Sequence, residues 1–173
     1  MTTVVLVGNP KPRSRTLQAA CRVAGRLTGA PPDIVVDVVE LADGLLGRDD
    51  RRVAPAVAAV RGATLLVVAS PTFKASYTGL LKLFLDQLPP AGLSGVVAVP
   101  MMLGAAPTHA LAPELLLKPV LVELGALCPT RALYLLETQY DRDDALGTWL
   151  TEARAHLGRT SPAHDPKETE VRP

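Results

Sequence analysis

Short apolar runs alternate along this chain with amphipathic stretches at helical spacing. Val4 to Gly8 is apolar and ends in the breaker cluster Gly8-Asn9-Pro10. Leu17, Ala20, Cys21, Ala24 and Leu27 recur at helical spacing, with Ser14 or Thr16 as cap and Gly29-Ala30-Pro31-Pro32 as stop. Ile34 to Leu41 reads as a second strand, Ala42 to Arg52 as loop, and Ala54 to Val60 as a short helix. Thr64 to Ala69 is an unbroken apolar run, as expected of a strand covered on both faces. A helix from Gly79 carries Leu80, Leu81, Phe84, Leu85 and Leu88 on one side and ends at Pro89-Pro90. Gly95 to Met101 is the fourth strand, Met102 to Thr108 a small-residue loop, and His109 to Gly125 a helix. Leu127 to Leu136 contains the fifth strand and Asp141 to Leu157 the last helix.

Five βα units in this order predict a doubly wound α/β fold. Its five-stranded parallel sheet carries helices on both faces, because right-handed crossovers place them there. Residues 1–157 form the predicted domain. Residues 158–173 set prolines among charges without periodicity and read as a disordered or arm-like tail.

The 109–125 helix is unusual. Leu115, Leu116, Leu117, Val120, Leu121, Val122 and Leu124 cover nearly all its faces. Such a helix is either central in the core or partly covered by another subunit, and the expectation is an interface of a homodimer or homotetramer. Pro119 lies inside it and costs roughly 3 kcal/mol unless a kink or bulge accommodates it.

Composition narrows the possibilities. Lys+Arg 18 against Asp+Glu 17 gives a net charge of +1, which does not suggest nucleic acid or a polybasic membrane surface as partner. No apolar run approaches the roughly 20 residues that span a bilayer. Thr2-Thr3 leads straight into the first strand, so the expected location is cytoplasmic. Cys21 and Cys128 are isolated, too few for a disulfide framework or a metal site.

Two loops carry the candidate chemistry. Gly8-Asn9-Pro10-Lys11-Pro12-Arg13-Ser14-Arg15-Thr16 follows the first strand and opens a helix. A helix N-terminus presents unpaired N–H groups to an anion. Asn9, Ser14 and Thr16 add neutral donors, and Lys11, Arg13 and Arg15 add charge. The loop lacks the ending of a P-loop and the glycines of a dinucleotide fingerprint. The alternative for this loop alone is a turn, a cap and solvated cations. The second loop, Pro71 to Thr78, follows the third strand. In the strand order 2-1-3-4-5, strands one and three flank the switch point where ligands bind. One flat, phosphorylated ligand therefore fits both loops. The amides of Thr72, Phe73 and Lys74 are candidate donors to its ring, and Gly104 and Ala105 permit close backbone approach. Taken singly, Phe73 and Tyr77 read as packing residues, Lys74 as a surface cation and His109 as structural.

Ser70-Pro71-Thr72-Phe73-Lys74-Ala75-Ser76-Tyr77-Thr78-Gly79-Leu80-Leu81-Lys82, through Asp86-Gln87-Leu88-Pro89, resembles the ring-binding loop of the NAD(P)H-dependent FMN reductases. These are flavodoxin-like proteins that include the reductases of two-component alkanesulfonate monooxygenase systems. The Gly8 to Thr16 loop resembles their phosphate loop, with Asn9 where Ser is usual and Lys11 where Arg is usual. Leu115-Leu116-Leu117-Lys118-Pro119-Val120-Leu121 resembles their interface helix. Some members carry an inserted Tyr there that forms a π-helical turn; Leu115 stands at that place here. The resemblance covers roughly residues 4 to 126.

It implies FMN and either NADPH or NADH as cofactors. The implied activity is hydride transfer from the nicotinamide to flavin N5, with reduced flavin supplied to a partner monooxygenase. Implied flavin contacts are Asn9, Lys11, Ser14, Arg15, Thr16, Pro71, Thr72, Phe73, Lys74, Gly104 and Ala105. No catalytic side chain and no metal is implied, because the flavin carries the chemistry. Two alternatives stay open: an FMN-retaining quinone or azo-type reductase, and a non-enzymatic flavodoxin-like electron carrier. The basic first loop and balanced charge argue against the carrier. Gly8-Asn9-Pro10, where a receiver domain needs acids, argues against a signalling module.

Overall fold

The computed structural model describes residues 1–47, 51–142 and 144–160. Five parallel strands form one sheet: β1 (Thr3–Val7), β2 (Ile34–Asp37), β3 (Leu65–Pro71), β4 (Val97–Gly104) and β5 (Leu133–Leu136). Their order is β2-β1-β3-β4-β5. The helices are α1 (Arg15–Thr28), α2 (Ala42–Leu45), α3 (Val53–Arg61), α4 (Gly79–Leu85), α5 (Lys118–Glu123) and α6 (Gly147–Thr160). Among the described residues no helix is long and apolar enough to cross a membrane.

The period-two alternation of strand side chains builds two cores. Val4, Leu6, Leu66, Val68, Ala98 and Met102 point to one face and pack with Leu81, Phe84, Leu117 and Leu121. Val5, Val7, Val67, Ala69, Val99 and Met101 point to the other and pack with Ala20, Val23, Ala24 of α1 and Leu150 of α6. Each fully buried Leu, Val or Phe contributes about 1.5–3 kcal/mol, so both layers are needed to offset chain entropy.

Several boundaries differ from the sequence expectations. The second strand ends at Asp37, and Val38–Leu41 turns into a 3₁₀ segment that buries Val38 and Leu41. Part of the expected 42–52 loop is the helical turn α2; the rest of that loop includes 48–50, outside the described residues. β4 starts later and runs on through Gly104, because Met102 and Leu103 pair with Ser70 and Pro71 of β3 and with Tyr134 and Leu135 of β5. The last helix begins at Gly147 instead of Asp141 and continues to Thr160; the remainder of the tail, 161–173, lies outside the described residues.

The expected helix over 109–125 is three pieces: a 3₁₀ turn (Pro107–His109), a π-helical segment (Pro113–Leu117) and α5. Lys118 N–H bonds Pro113 C=O, one residue further back than in an α-helix. Pro119 then enters the first turn of α5, where its missing N–H costs little. The π-helical turn forms here with Leu115, not Tyr, inside it.

Candidate functional site

The carboxyl ends of β1 and β3 lie side by side, and their loops meet above them. Gly8 N–H bonds Ala69 C=O, carrying the ladder one residue past β1. Thr78 joins the loops: its hydroxyl donates to Gly8 C=O and accepts from Leu81 N–H, capping α4. Its own amide donates to Ser70 Oγ at 3.0 Å. Gly8 has no room for a side chain, since an ideal Cβ there lies 2.3 Å from Leu81 Cβ and 2.8 Å from its Cα.

A cleft of about 550 Å³ opens between the loops. Asn9, Pro10, Lys11, Arg13, Ser14, Arg15, Thr16, Gln18, Pro71, Phe73, Leu103 and Glu137 line it. Of the sequence-expected contacts, Asn9, Lys11, Ser14, Arg15, Thr16, Pro71 and Phe73 stand on this wall. Ser14 is the N-cap of α1, and its Oγ accepts from Leu17 N–H. Gln18 N–H bonds Ser14 C=O. The first-turn amides of Arg15 and Thr16 have no intrahelical acceptor, which is what an anion needs at a helix start. Asn9 Nδ2 donates to Thr16 Oγ1 and its Oδ1 accepts from Lys11 N–H, so both residues hold the loop's shape.

Asp37, at the end of β2, supports the same loop from below. Its Oδ2 accepts from Arg13 N–H at 3.2 Å, which holds Arg13 in a left-handed conformation (φ 50°). Burial pushes its carboxyl above the usual range, the amide of Arg13 opposes this, and nearby Glu40 adds to it.

The loop after β3 is a tight hairpin. Phe73 and Ser76 exchange both backbone hydrogen bonds, with Lys74 (φ 52°) and Ala75 (φ 65°) both left-handed between them. That is the pattern of a type I′ turn, held here without glycine. Two of the three expected amide donors are already bonded: Thr72 N–H to Leu103 C=O at 2.6 Å and Phe73 N–H to Ser76 C=O at 2.8 Å. Lys74 N–H has no backbone acceptor among the described residues. Phe73, read as a packing residue, is exposed at the mouth of the cleft, whereas Tyr77 does pack on the core.

Gly104 and Ala105 do not line the cleft. The side-chain space of Gly104 is filled by Tyr134, whose hydroxyl lies 1.9 Å from an ideal Cβ. That hydroxyl donates to Ala106 C=O at 2.6 Å. Gly104 therefore makes room for Tyr134. Thr72 Oγ1, beside it, is buried without a partner. His109 ends the 3₁₀ turn and does not line the cleft. Burial pushes the Cys128 thiol up to about 11, which leaves it protonated and unreactive at neutral pH.

Glu137 is not among the contacts that the sequence pattern singles out. It follows β5 directly, its Oε2 lies 2.8 Å from Arg15 Nη2, and it forms the far wall. An acid placed immediately past the last apolar run was the available signal. A second cleft of about 420 Å³ lies at the opposite edge of the sheet, lined by Leu27, Thr64, Gly95, Val97 and Leu157 among others. It faces the amino ends of the strands, where open parallel sheets do not bind ligands.

The residues present suit a phosphorylated flavin. Lys11, Arg13 and Arg15 share the wall of the main cleft with the exposed ring of Phe73, whereas Thr72, with its buried partnerless hydroxyl, and Lys74 belong to the loop after β3 without lining the cleft. The volume is in the range of small-ligand pockets.

Residues 1–141 match the family model described as NADPH-dependent FMN reductase. A Pseudomonas putida protein named NADH-dependent FMN reductase SfnF is 32% identical over 148 residues, covering 80% of this chain and 79% of that protein. An Escherichia coli (strain K12) protein named FMN reductase (NADPH) is 48% identical over 61 residues, 35% of this chain. The chain spans only 32% of that relative's length. Among solved structures, an NADH:FMN oxidoreductase (EMOB) in its apo form superposes with a TM-score of 0.78 at 30% identity, covering 92% of this chain and 89% of that one.

Proposed function

Because this chain belongs to the NADPH-dependent FMN reductase family, we propose that it is an NAD(P)H:FMN oxidoreductase with its site in the cleft between the β1 and β3 loops. The observation that carries this reading is the meeting of Lys11, Arg13, Ser14, Arg15 and Thr16 with Pro71 and Phe73 around one cleft at the switch point. A bound FMN would supply the hydride-accepting chemistry for the nicotinamide. The protein's own contribution is binding and orientation. Lys11, Arg13 and the Arg15 and Thr16 amides hold the phosphate end. The hairpin at 73–76 and the amide of Lys74 hold the ring edge, and the rigidity of a turn with two left-handed residues preserves its aim. Pro71 and Leu103 supply apolar walls at the cleft floor.

The acceptor side of the proposal is a flavin-dependent monooxygenase that takes the reduced flavin, and the setting is the cytoplasm, where both nicotinamides are available. The resemblance of the 70–89 and 115–121 stretches to a family that includes the reductases of two-component systems supports it. A homo-oligomer is part of the same reading. Leu111, Leu115, Leu116 and Val122 are 64%, 63%, 41% and 53% exposed on one stretch around the π-helical turn, an apolar surface suited to a second copy.

Oxidation of NADPH and NADH, followed at the nicotinamide absorbance with and without added FMN, tests the function. The reading expects flavin-dependent oxidation and a sequential kinetic pattern. Oxidation without added FMN by yellow, as-purified protein points to a flavin-retaining reductase instead, and no oxidation in either case sinks the enzyme reading.

A further inference from the structure

Among the described residues, the cleft wall carries one carboxylate, Glu137, beside three cations, and the proposed function gives it no role. Glu137 N–H bonds Gly104 C=O at 3.0 Å, so its backbone is pinned to the end of β4. Its Oε2 sits 2.8 Å from Arg15 Nη2, on the residue that opens α1. One turn further along α1, Gln18 Oε1 accepts from the Tyr140 hydroxyl at 2.7 Å. The segment after β5 is therefore tied to α1 twice, once through charge and once through neutral groups.

We propose that Glu137 sets how tightly the site holds the phosphate end of its flavin: its carboxylate offsets Arg15 and repels the bound phosphate. The proposal rests on the flavin reading and deepens it. A phosphate monoester carries close to two negative charges near neutral pH. A site built only to retain it would leave Lys11, Arg13 and Arg15 unopposed. With Glu137 in the wall, one of those cations is already matched before the ligand arrives. That suits a flavin that must leave after each turnover, because affinity differences of this kind fall mostly on the dissociation rate.

The size of the effect follows from exposure. Arg15 is 59% and Glu137 31% exposed at the side chain, so water screens the pair. Removing one charge of an exposed pair shifts a binding constant by about two- to fivefold. Because the Tyr140–Gln18 bond remains, Glu137→Gln leaves the wall standing.

The test compares wild type and Glu137→Gln in fluorescence titrations with FMN and with riboflavin, which has the same ring and no phosphate. Titrations are run at low salt and at about 1 M, where the screening length falls to about 3 Å. The expected result is FMN bound about two- to fivefold tighter by the variant at low salt, with slower FMN release in stopped-flow displacement. Riboflavin affinity stays unchanged, and the FMN difference collapses at high salt. Equal or weaker FMN binding by the variant overturns the proposal, and weaker binding would make Glu137 a positioner of Arg15. The same gain for riboflavin also overturns it, since the effect then does not act on the phosphate. Wild-type protein that binds no FMN overturns the flavin reading and this proposal with it, whereas wild type that binds FMN and a variant that binds it no tighter overturn this proposal alone.

Discussion

At Gly8 the backbone of the first loop lies against the first turn of α4, with no space for a methyl group. Gly8→Ala pushes Leu81 or the loop aside and is expected to cost about 1–3 kcal/mol, seen as a lower urea midpoint at unchanged m. Thr78, whose hydroxyl bonds both Gly8 and Leu81, makes this contact a joint between the two loops that bound the cleft. A second substitution separates binding from folding. Asp is as good an N-cap as Ser, so Ser14→Asp keeps α1 capped and keeps Leu17 N–H bonded. It also places a carboxylate at the end of the cleft proposed to hold the phosphate. FMN affinity by fluorescence titration is expected to fall at least about tenfold with thermal stability held. Unchanged affinity would remove the first loop from the site. Residues of this kind were legible in part. Ser14, Lys11 and Arg15 announce themselves by type and by position after a strand. Gly104 does not: a small residue near a ligand edge reads as backbone approach, and only the tertiary neighbour Tyr134 shows what fills the space. Asp37 and Glu137 lie at the ends of strands distant in sequence, and only the strand order brings them to the loop.

At the scale of elements, one interruption explains another. Ala98 N–H bonds Leu127 C=O, so strand alternation aims the nitrogen of Pro100 at the same neighbour. Having no N–H, Pro100 cannot continue that ladder. The chain touches β4 at Leu127 through an isolated bridge, leaves it, and returns as β5 from Leu133. The backbone groups freed by this detour are met by the π-helical turn. Glu114 Oε2 accepts from Ala132 N–H at 2.6 Å, and Lys118 Nζ donates to Thr130 C=O at 2.9 Å while pairing with Glu114 at 2.6 Å. The strands and their order followed from apolar runs and crossover rules. The π-helical turn did not, because periodicity reports which faces are apolar and not the spacing of the hydrogen bonds; Pro119 was the visible hint. Burial pushes the Glu114 carboxyl upward, but Lys118 and the Ala132 amide outweigh it and hold the group below its ordinary value. A depressed carboxylate contributes stability above its unfolded value, 4.5, and loses it as pH falls through the folded value. Glu114→Gln is therefore expected to cost about 1 kcal/mol at neutral pH, since the side chain is more than a third exposed and screened. Thermal melts should show a drop of roughly 2–4 °C. The gap to wild type should narrow as pH falls below 4.5; a gap that stays constant would show that the charge on Glu114 contributes nothing.

For the whole molecule, the question is what covers the π-helical stretch. The sequence pattern assigned all its leucines alike, and the structure divides them. Leu117 and Leu121 are fully buried in the core, whereas Leu111, Leu115 and Val122 are each more than half exposed. Buried positions make poor probes of assembly, since a charge at Leu121 would unfold the chain before it tested any interface. Leu115→Glu and Val122→Glu are the informative changes. Each sits on the surface, so a monomer tolerates either with a stability change within about 0.5 kcal/mol. In a homo-oligomer built on this face, each places a desolvated charge at a self-complementary contact. Light scattering should then report a lower mass for both variants than for wild type at the same concentration. Flavin titration of the resulting species adds a second result: Phe73 stands at the mouth of the cleft with 52% of its surface exposed. If the partner's surface closes over that ring, FMN affinity falls together with the mass, and riboflavin affinity falls as far, because the ring end is the part left open. Variants that keep the wild-type mass would take the oligomer off this face.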